Sequence, residues 1–192
     1  MKIPIFLTCF FVLPFCCNEI SAQKEFVPDT TINNLFFLQD DASSEVFYPN
    51  INNVKLLDEE LFSQDVSPHI IFLNANKTQY LIAFLHEGTF KNWFSEFEIG
   101  YVTETVFEEI KDKYTETSYK DFQTESKLRL GMTLSELEGI KGKNYIRDGN
   151  KITYCYNSPN SEFLEYGDCE YYLECELLQN KVCKIRFGFT AI

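Results

Sequence analysis

The sequence predicts an α+β fold of two related units, each with short helices packed on a three- or four-stranded antiparallel sheet. Three observations carry that expectation. The chain echoes itself: Leu128-Arg129-Leu130-Gly131-Met132-Thr133-Leu134-Ser135-Glu136-Leu137 has a blurred copy in the stretch Phe36 to Val46. Further on, Tyr80-Leu81-Ile82 answers Tyr171-Tyr172-Leu173, and Phe97-Glu98-Ile99-Gly100-Tyr101 answers Ile185-Arg186-Phe187-Gly188-Phe189. A repeated unit implies one supersecondary piece whose neighbour completes its core. The second observation is a palette of 19 Phe and 11 Tyr, suited to pleated, half-buried strands. Third, the last third alternates apolar and polar residues, as a sheet with one buried and one wet face requires.

The first 22 residues read as an address and not as structure. Met1-Lys2 is a basic start, Ile3 to Cys17 an apolar run interrupted at Pro4, Thr8 and Pro14, and Ser21-Ala22-Gln23 a small-residue cleavage site. That is the pattern of a secretory signal peptide cut after Ala22. The run is shorter than the roughly 20 residues a membrane span needs, so no transmembrane span is expected in the mature chain. A competing reading makes Cys16 or Cys17 the lipid-bearing first residue of a lipoprotein.

The first unit is expected over 23–102. It holds a strand from Ile32 to Leu38 and a helix from Ala42 to Phe47, capped by Asp40-Asp41 and stopped by Pro49. Leu56, Leu57, Leu61 and Phe62 stand at helix-like spacing in a polar stretch, and strands follow at His69–Leu73, Gln79–His86 and Phe90–Val102. A seam at 103–126 spaces Val106, Phe107, Ile110 and Tyr114 along one helical stripe, predicting a connecting helix. The second unit is expected over 127–192. Thr133-Leu134-Ser135-Glu136 is a capping box, Leu134, Leu137 and Ile140 form a buried stripe, and Gly142 stands where a left-handed cap is wanted. Strands follow at Ile152–Asn157, Cys169–Leu178 and Val182–Phe189. Tyr171, Leu173, Cys175 and Leu177 face the core, as do Cys183, Ile185, Phe187 and Phe189; Tyr172, Glu174, Glu176, Lys184 and Arg186 face water.

Of seven cysteines, Cys9, Cys16 and Cys17 leave with the signal. Cys155, Cys169, Cys175 and Cys183 remain, and an even number outside the cytoplasm reads as two disulfides. Four cysteines allow three pairings; neighbouring antiparallel strands favour Cys155 with Cys169 and Cys175 with Cys183. No C-x-x-C pair supports a zinc site.

A net charge of −12 argues against nucleic acid and anionic membranes, which call for basic patches. It suits a basic protein partner, and it also simply keeps an exported protein dispersed. His86-Glu87 is not completed to H-E-x-x-H, and His69 stands alone, so both histidines read as ordinary residues. No nucleophile elbow, phosphate loop or cofactor motif is visible. Glu174 and Glu176 share one strand face, a spacing open to acid–base work, but Lys184 and Arg186 opposite make cross-strand charge pairs the simpler reading. Trp93, the sole tryptophan, reads as a core residue of the first unit or as an anchor in a binding face. Asn76-Lys77-Thr78 matches a glycosylation sequon, relevant only in a eukaryotic host.

The order strand, Leu130-Gly131-Met132-Thr133, capped short helix, Lys141-Gly142-Lys143, antiparallel sheet ending Lys184-Ile185-Arg186-Phe187 resembles the SmpA/OmlA-like unit. That unit occurs in the small lipoprotein of the outer-membrane barrel-assembly machinery. Two in tandem resemble the beta-lactamase inhibitor protein family, and the signal ending with the abundance of Phe, Asn and Lys resembles exported proteins of the Bacteroidetes group. The resemblance covers Lys127–Ile192 well and Ile32–Val102 dimly, and the first copy lacks the Gly-Met-Thr opening. It implies a non-enzymatic envelope protein, periplasmic or extracellular, that binds or inhibits a protein partner and supplies no catalytic residue. Candidate partner-binding residues are Tyr172, Glu174, Glu176, Lys184 and Arg186. The alternatives are a carboxylate-based hydrolase of wall or secreted substrates and a structural lipoprotein of outer-membrane assembly.

Overall fold

The computed structural model describes residues 25–39, 56–57, 68–85, 94–157 and 169–190. The signal peptide, Cys16, Cys17, the helix expected from Ala42 to Phe47, His86 and Trp93 lie outside these residues. What is described is a small α+β fold: two short helices and ten strands, eight of them in one sheet.

The sheet strands are β3 (His69–Leu73), β4 (Gln79–Leu85), β5 (Phe94–Tyr101), β6 (Tyr114–Glu116), β7 (Ile146–Asp148), β8 (Lys151–Tyr156), β9 (Tyr171–Leu178) and β10 (Lys181–Phe189). Their order is β6-β3-β4-β5-β10-β9-β8-β7. All neighbours are antiparallel except β3 and β6. Two meanders, β3–β4–β5 and β8–β9–β10, are thus joined through their last strands, with Ile99 opposite Ile185, Glu98 opposite Arg186 and Phe97 opposite Phe187.

The meanders share one internal register. In the first, Ile71 pairs with Ile82, Tyr80 with Gly100 and Ile82 with Glu98. In the second, Thr153 pairs with Glu174, Tyr172 with Gly188 and Glu174 with Arg186. Each carries a β-bulge at the same point. Phe84 and Leu85 face Glu96 and Phe94, leaving Ser95 extra; Glu176 and Leu177 face Lys184 and Val182, leaving Cys183 extra. This register moves the sequence echo by one residue, because Tyr80 takes the place of Tyr172, not of Tyr171. With a side-chain period of two, a one-residue offset would have put the matched tyrosines on opposite faces.

Alternation follows from the same period. On β9, Tyr171, Leu173, Cys175 and Leu177 are buried, while Tyr172, Glu174 and Glu176 lie on the other face. On β10 the expected phase fails at Cys183, which is half-buried on the outer side. The bulge shifts the alternation so that Val182, not Cys183, faces the core with Ile185 and Phe187. The inner face is covered by helix α2 (Leu134–Lys141), by residues 122–132 and by Phe26, Ile32 and Leu38. Helix α2 starts on the expected capping box: Thr133 Oγ1 accepts from Glu136 N at 3.3 Å, and Glu136 Oε2 accepts from Thr133 N at 2.7 Å. Gly142 ends it at φ 84°.

Two other expectations are corrected. The strand from Ile32 to Leu38 is a hairpin, β1 (Thr31–Ile32) and β2 (Phe36–Phe37), because Asn33 and Asn34 adopt φ of 51° and 58°. The seam helix, α1 (Glu104–Ile110), stops short of Tyr114, which joins β6 beside β3. The wet face expected of the last strands does not extend to the first meander: β3 and β4 are buried on both sides, with Val106 and Ile110 of α1 in one cluster with Ile71, Leu73, Tyr80, Ile82 and Phe84.

The first described residues pack on the second meander. Phe26 stacks on Tyr154 with ring centroids 5.1 Å apart. Asp29, 1% exposed, meets the equally buried Lys141 ammonium at 2.8 Å. That ammonium also donates to Val27 O (2.6 Å) and stands 5.5 Å from the Phe26 ring centroid. Tyr171 donates its hydroxyl to Asp29 O at 2.7 Å.

Candidate functional site

All five residues expected on the wet face stand together on the outer side of β9 and β10. Lys151, Glu174, Glu176, Lys184 and Arg186 line a hollow of about 160 Å³. Rows of cross-strand neighbours explain the gathering: Thr153, Glu174, Arg186 and Glu98 lie in one row, Lys151, Glu176, Lys184 and Gly100 in the next.

Arg186 and Lys184 are engaged mainly across the central seam, with the first meander. Arg186 Nε donates to Glu96 Oε2 at 2.6 Å and Nη2 to Glu96 Oε1 at 3.0 Å, a two-pronged pair. Lys184 Nζ is 3.2 Å from Glu98 Oε2, and Arg186 Nη1 is 4.0 Å from the same oxygen. Glu98 is fully buried, and that oxygen accepts no aligned hydrogen bond, so its contact with Lys184 is one of charge, not of directed bonding. Its Oε1 accepts from the Tyr80 hydroxyl at 2.9 Å, and the Tyr172 hydroxyl donates to Glu96. Burial opposes the charged form of Arg186, but the hydrogen bonds and charge of Glu96 outweigh it and raise its pKa further. Burial first, then the carboxylates alongside, hold the Tyr80 and Tyr172 phenols well above their usual range.

The expected cross-strand pairing of Glu174 and Glu176 with β10 is therefore minor. Lys184 Nζ is 3.9 Å from Glu176, and Glu174 instead meets Lys151 of β8 at 2.6 Å. Sequence reasoning passed over Lys151, Thr153, Glu96 and Glu98. The alternation Glu96-Phe97-Glu98-Ile99 was a legible signal of charges sharing one strand face; their cationic partners across β10 were not.

The cysteines divide. Cys155 and Cys169 are bonded, with Cα atoms 5.4 Å apart. The expected bridge between Cys175 and Cys183 is not formed: both are free thiols, one buried and one half-buried. Register forbids it, because Cys175 lies opposite Ile185 and faces the core, while Cys183 is the bulged residue of the other face. Burial pushes the Cys175 thiol up to about 12.

His69 is no surface residue. It is buried at the start of β3, 5.9 Å from the Phe84 ring centroid. Among the described residues no three His, Cys, Asp or Glu side chains gather as metal ligands, and no helix is long and apolar enough to cross a membrane. A second hollow, of about 330 Å³, lies at Asn33, Lys120, Asp121 and Lys127, where Asn33 is tied by its own bonds to Asp121 O and Gln123 N. Comparison with protein-family models, curated proteins and solved structures found no match for this chain.

Proposed function

We propose that the protein is an exported, non-enzymatic module that works by binding another protein, and that its contact surface is the open outer face of β8–β10. One observation carries the reading. The outer face of the first meander is covered by α1, whereas the equivalent face of the second, at Thr153, Glu174 and Glu176, carries solvated polar side chains and a hollow.

The two meanders are, in this proposal, copies of one ancestral αβ unit, at 23–102 and 127–192, with 103–126 between them. Shared registers and matching bulges support it, since a bulge is an inherited device and not a packing accident. A pseudo-two-fold axis would pass through the Glu98–Arg186 pair. The likeness to tandem SmpA/OmlA-like proteins belongs to the same proposal. Export is supported by the apolar run before Ala22 and by the Cys155–Cys169 bond, which persists where thiols are oxidised. The ion pairs of Glu174 with Lys151 and of Glu96 with Arg186 are the arrangement of a charged surface, and favour binding over acid–base hydrolysis.

Two measurements test this. The mass of the mature N-terminus should give a chain starting at Gln23; a start at Cys16 or Cys17 bearing lipid would replace the secreted form with an anchored one. A photo-crosslinking residue at position 153 should trap a discrete protein in cells of the source organism, and one at Glu108 on α1 should not. Equal trapping at both positions, or none at 153, removes the contact surface.

A further inference from the structure

We propose that the occupant of this face is a helix of the partner protein that presents lysine or arginine at positions i and i+4. This rests on the contact-surface reading above and names what the surface fits.

The first meander seats a helix on its outer side. Helix α1 places Val106 and Ile110, four residues apart, in one apolar cluster with Ile71, Leu73, Tyr80, Ile82 and Phe84, and the Arg186 guanidinium lies 5.1 Å from the Phe84 ring centroid at the edge of that cluster. By the shared register, the places of Ile82 and Phe84 are taken in the second meander by Glu174 and Glu176. The register is shared and the chemistry changes at these two places, from apolar to carboxylate, beside Lys151, Lys184 and Arg186. Alternate residues on a strand lie roughly 6.6 Å apart, and helix neighbours at i and i+4 about 5–6 Å apart, so two basic side chains can reach two carboxylates together.

Charge complementarity selects the sign. Arg186 and Lys184 hold Glu96 and Glu98 across the seam. Among the described residues, Lys151 is then the cation close to Glu174, and Glu176 has the more distant Lys184 at 3.9 Å. The Lys151–Glu174 pair is substantially exposed, at 47% and 27%, so it contributes little and is readily exchanged for an incoming guanidinium. An arginine can take a carboxylate through two parallel bonds, which Lys151 cannot. A chain of net charge −12 also steers a basic partner toward itself.

The test uses two alanine-rich helical peptides of identical composition with four arginines each. In one the arginines stand in i, i+4 pairs; in the other they are spaced at i, i+2. Fluorescence anisotropy at low salt reads affinity for the chain from Gln23 onward. The expected result is at least fivefold tighter binding of the i, i+4 peptide. That preference is lost in Glu174→Gln/Glu176→Gln and in Thr153→Arg, and kept in Glu104→Gln/Glu108→Gln, with circular dichroism confirming that each variant is folded. Equal affinity for the two peptides, or an equal loss in the Glu104/Glu108 variant, overturns the inference. If position 153 still crosslinks a partner in that case, the contact surface stands and only the basic helix falls; if it does not, both fall.

Discussion

Ser95 and Cys183 occupy the same place in the two halves of the sheet. Ser95 Oγ donates to the carbonyl of Phe84 at 3.4 Å, and Cys183 Sγ makes the matching bond to the carbonyl of Glu176, also at 3.4 Å. Each is the extra residue of its bulge, and each turns its side chain back onto the strand it follows. Beyond each bulge lies a tyrosine facing a glycine, Tyr80 opposite Gly100 and Tyr172 opposite Gly188. Both tyrosines reach carboxylates of β5, at Glu98 and Glu96.

The glycines give a first prediction. A Cβ on Gly100 would fall on the Tyr80 ring, within 2.6 Å of Cε1, while a Cβ on Gly188 would stand 2.8 Å from the backbone Cα of Glu96. Both Gly→Ala changes should lower stability by about 1–3 kcal/mol, the range of overpacking in a filled core. They should separate in a second background. Truncating Tyr80 to Ala makes room at Gly100, so the added cost of Gly100→Ala should shrink there. No side-chain truncation relieves a clash with backbone at Gly188. Urea unfolding of the single and double variants checks both, and additive costs at Gly100 and Tyr80 would contradict the packing described.

The buried pair of Asp29 and Lys141 should behave as a unit. Both side chains are 1% exposed, so removing one leaves the other charged and unpaired in the core. Asp29→Asn or Lys141→Met should each cost about 3–5 kcal/mol. Asp29→Leu/Lys141→Met, which removes both charges, should cost less than either single change. Loss of the pair should also loosen Phe26 from Tyr154 and Tyr171, readable as faster hydrogen exchange at the Asp29 amide, which donates to the Tyr171 hydroxyl.

Alkaline pH should unfold the protein in a defined window. Burial raises the Cys175 thiol from 9.0 to about 12 and lifts Tyr80, Tyr171 and Tyr172 in the same direction. The folded state favours the protonated form of each group. Stability is therefore complete below about pH 9 and falls as pH rises toward 12, by roughly 1.4 kcal/mol per pH unit from Cys175 alone. Urea midpoints at pH 8, 9 and 10 should decline, and more shallowly in Cys175→Ala. The share of the tyrosinate absorbance that is missing in Tyr80→Phe and Tyr172→Phe variants should appear together with loss of structure and not before it.

The cysteines should differ in reactivity. In the chain from Gln23 onward, a thiol reagent should titrate one cysteine in the folded state, Cys183, and two in denaturant, where Cys175 is released. Replacing the Cys155–Cys169 bridge by serines should cost about 3 kcal/mol, from the unfolded-state freedom restored to a loop with a sequence separation of 14. Two protected thiols in the folded protein would mean that Cys183 is better covered than its half-buried position implies.

What local chemistry controls was legible in the order of the residues. The Thr133–Glu136 cap, the span of β3, the alternation on β9 and the pairing of Cys155 with Cys169 all depend on neighbours in the chain or on a period of two, and all are as expected, while β9 starts two residues later than expected, at Tyr171. Tertiary structure decided what depends on register and on contacts distant in sequence. A bulge of one residue put Cys183 on the outer face and ruled out its bond to Cys175. Closure of the sheet at β5 and β10 turned Arg186 from its neighbours on β9 to Glu96, 90 positions away. Packing of α1 dried one half of the outer face and left the more exposed, polar half at Glu174 and Glu176, a contrast that no single strand's sequence displays.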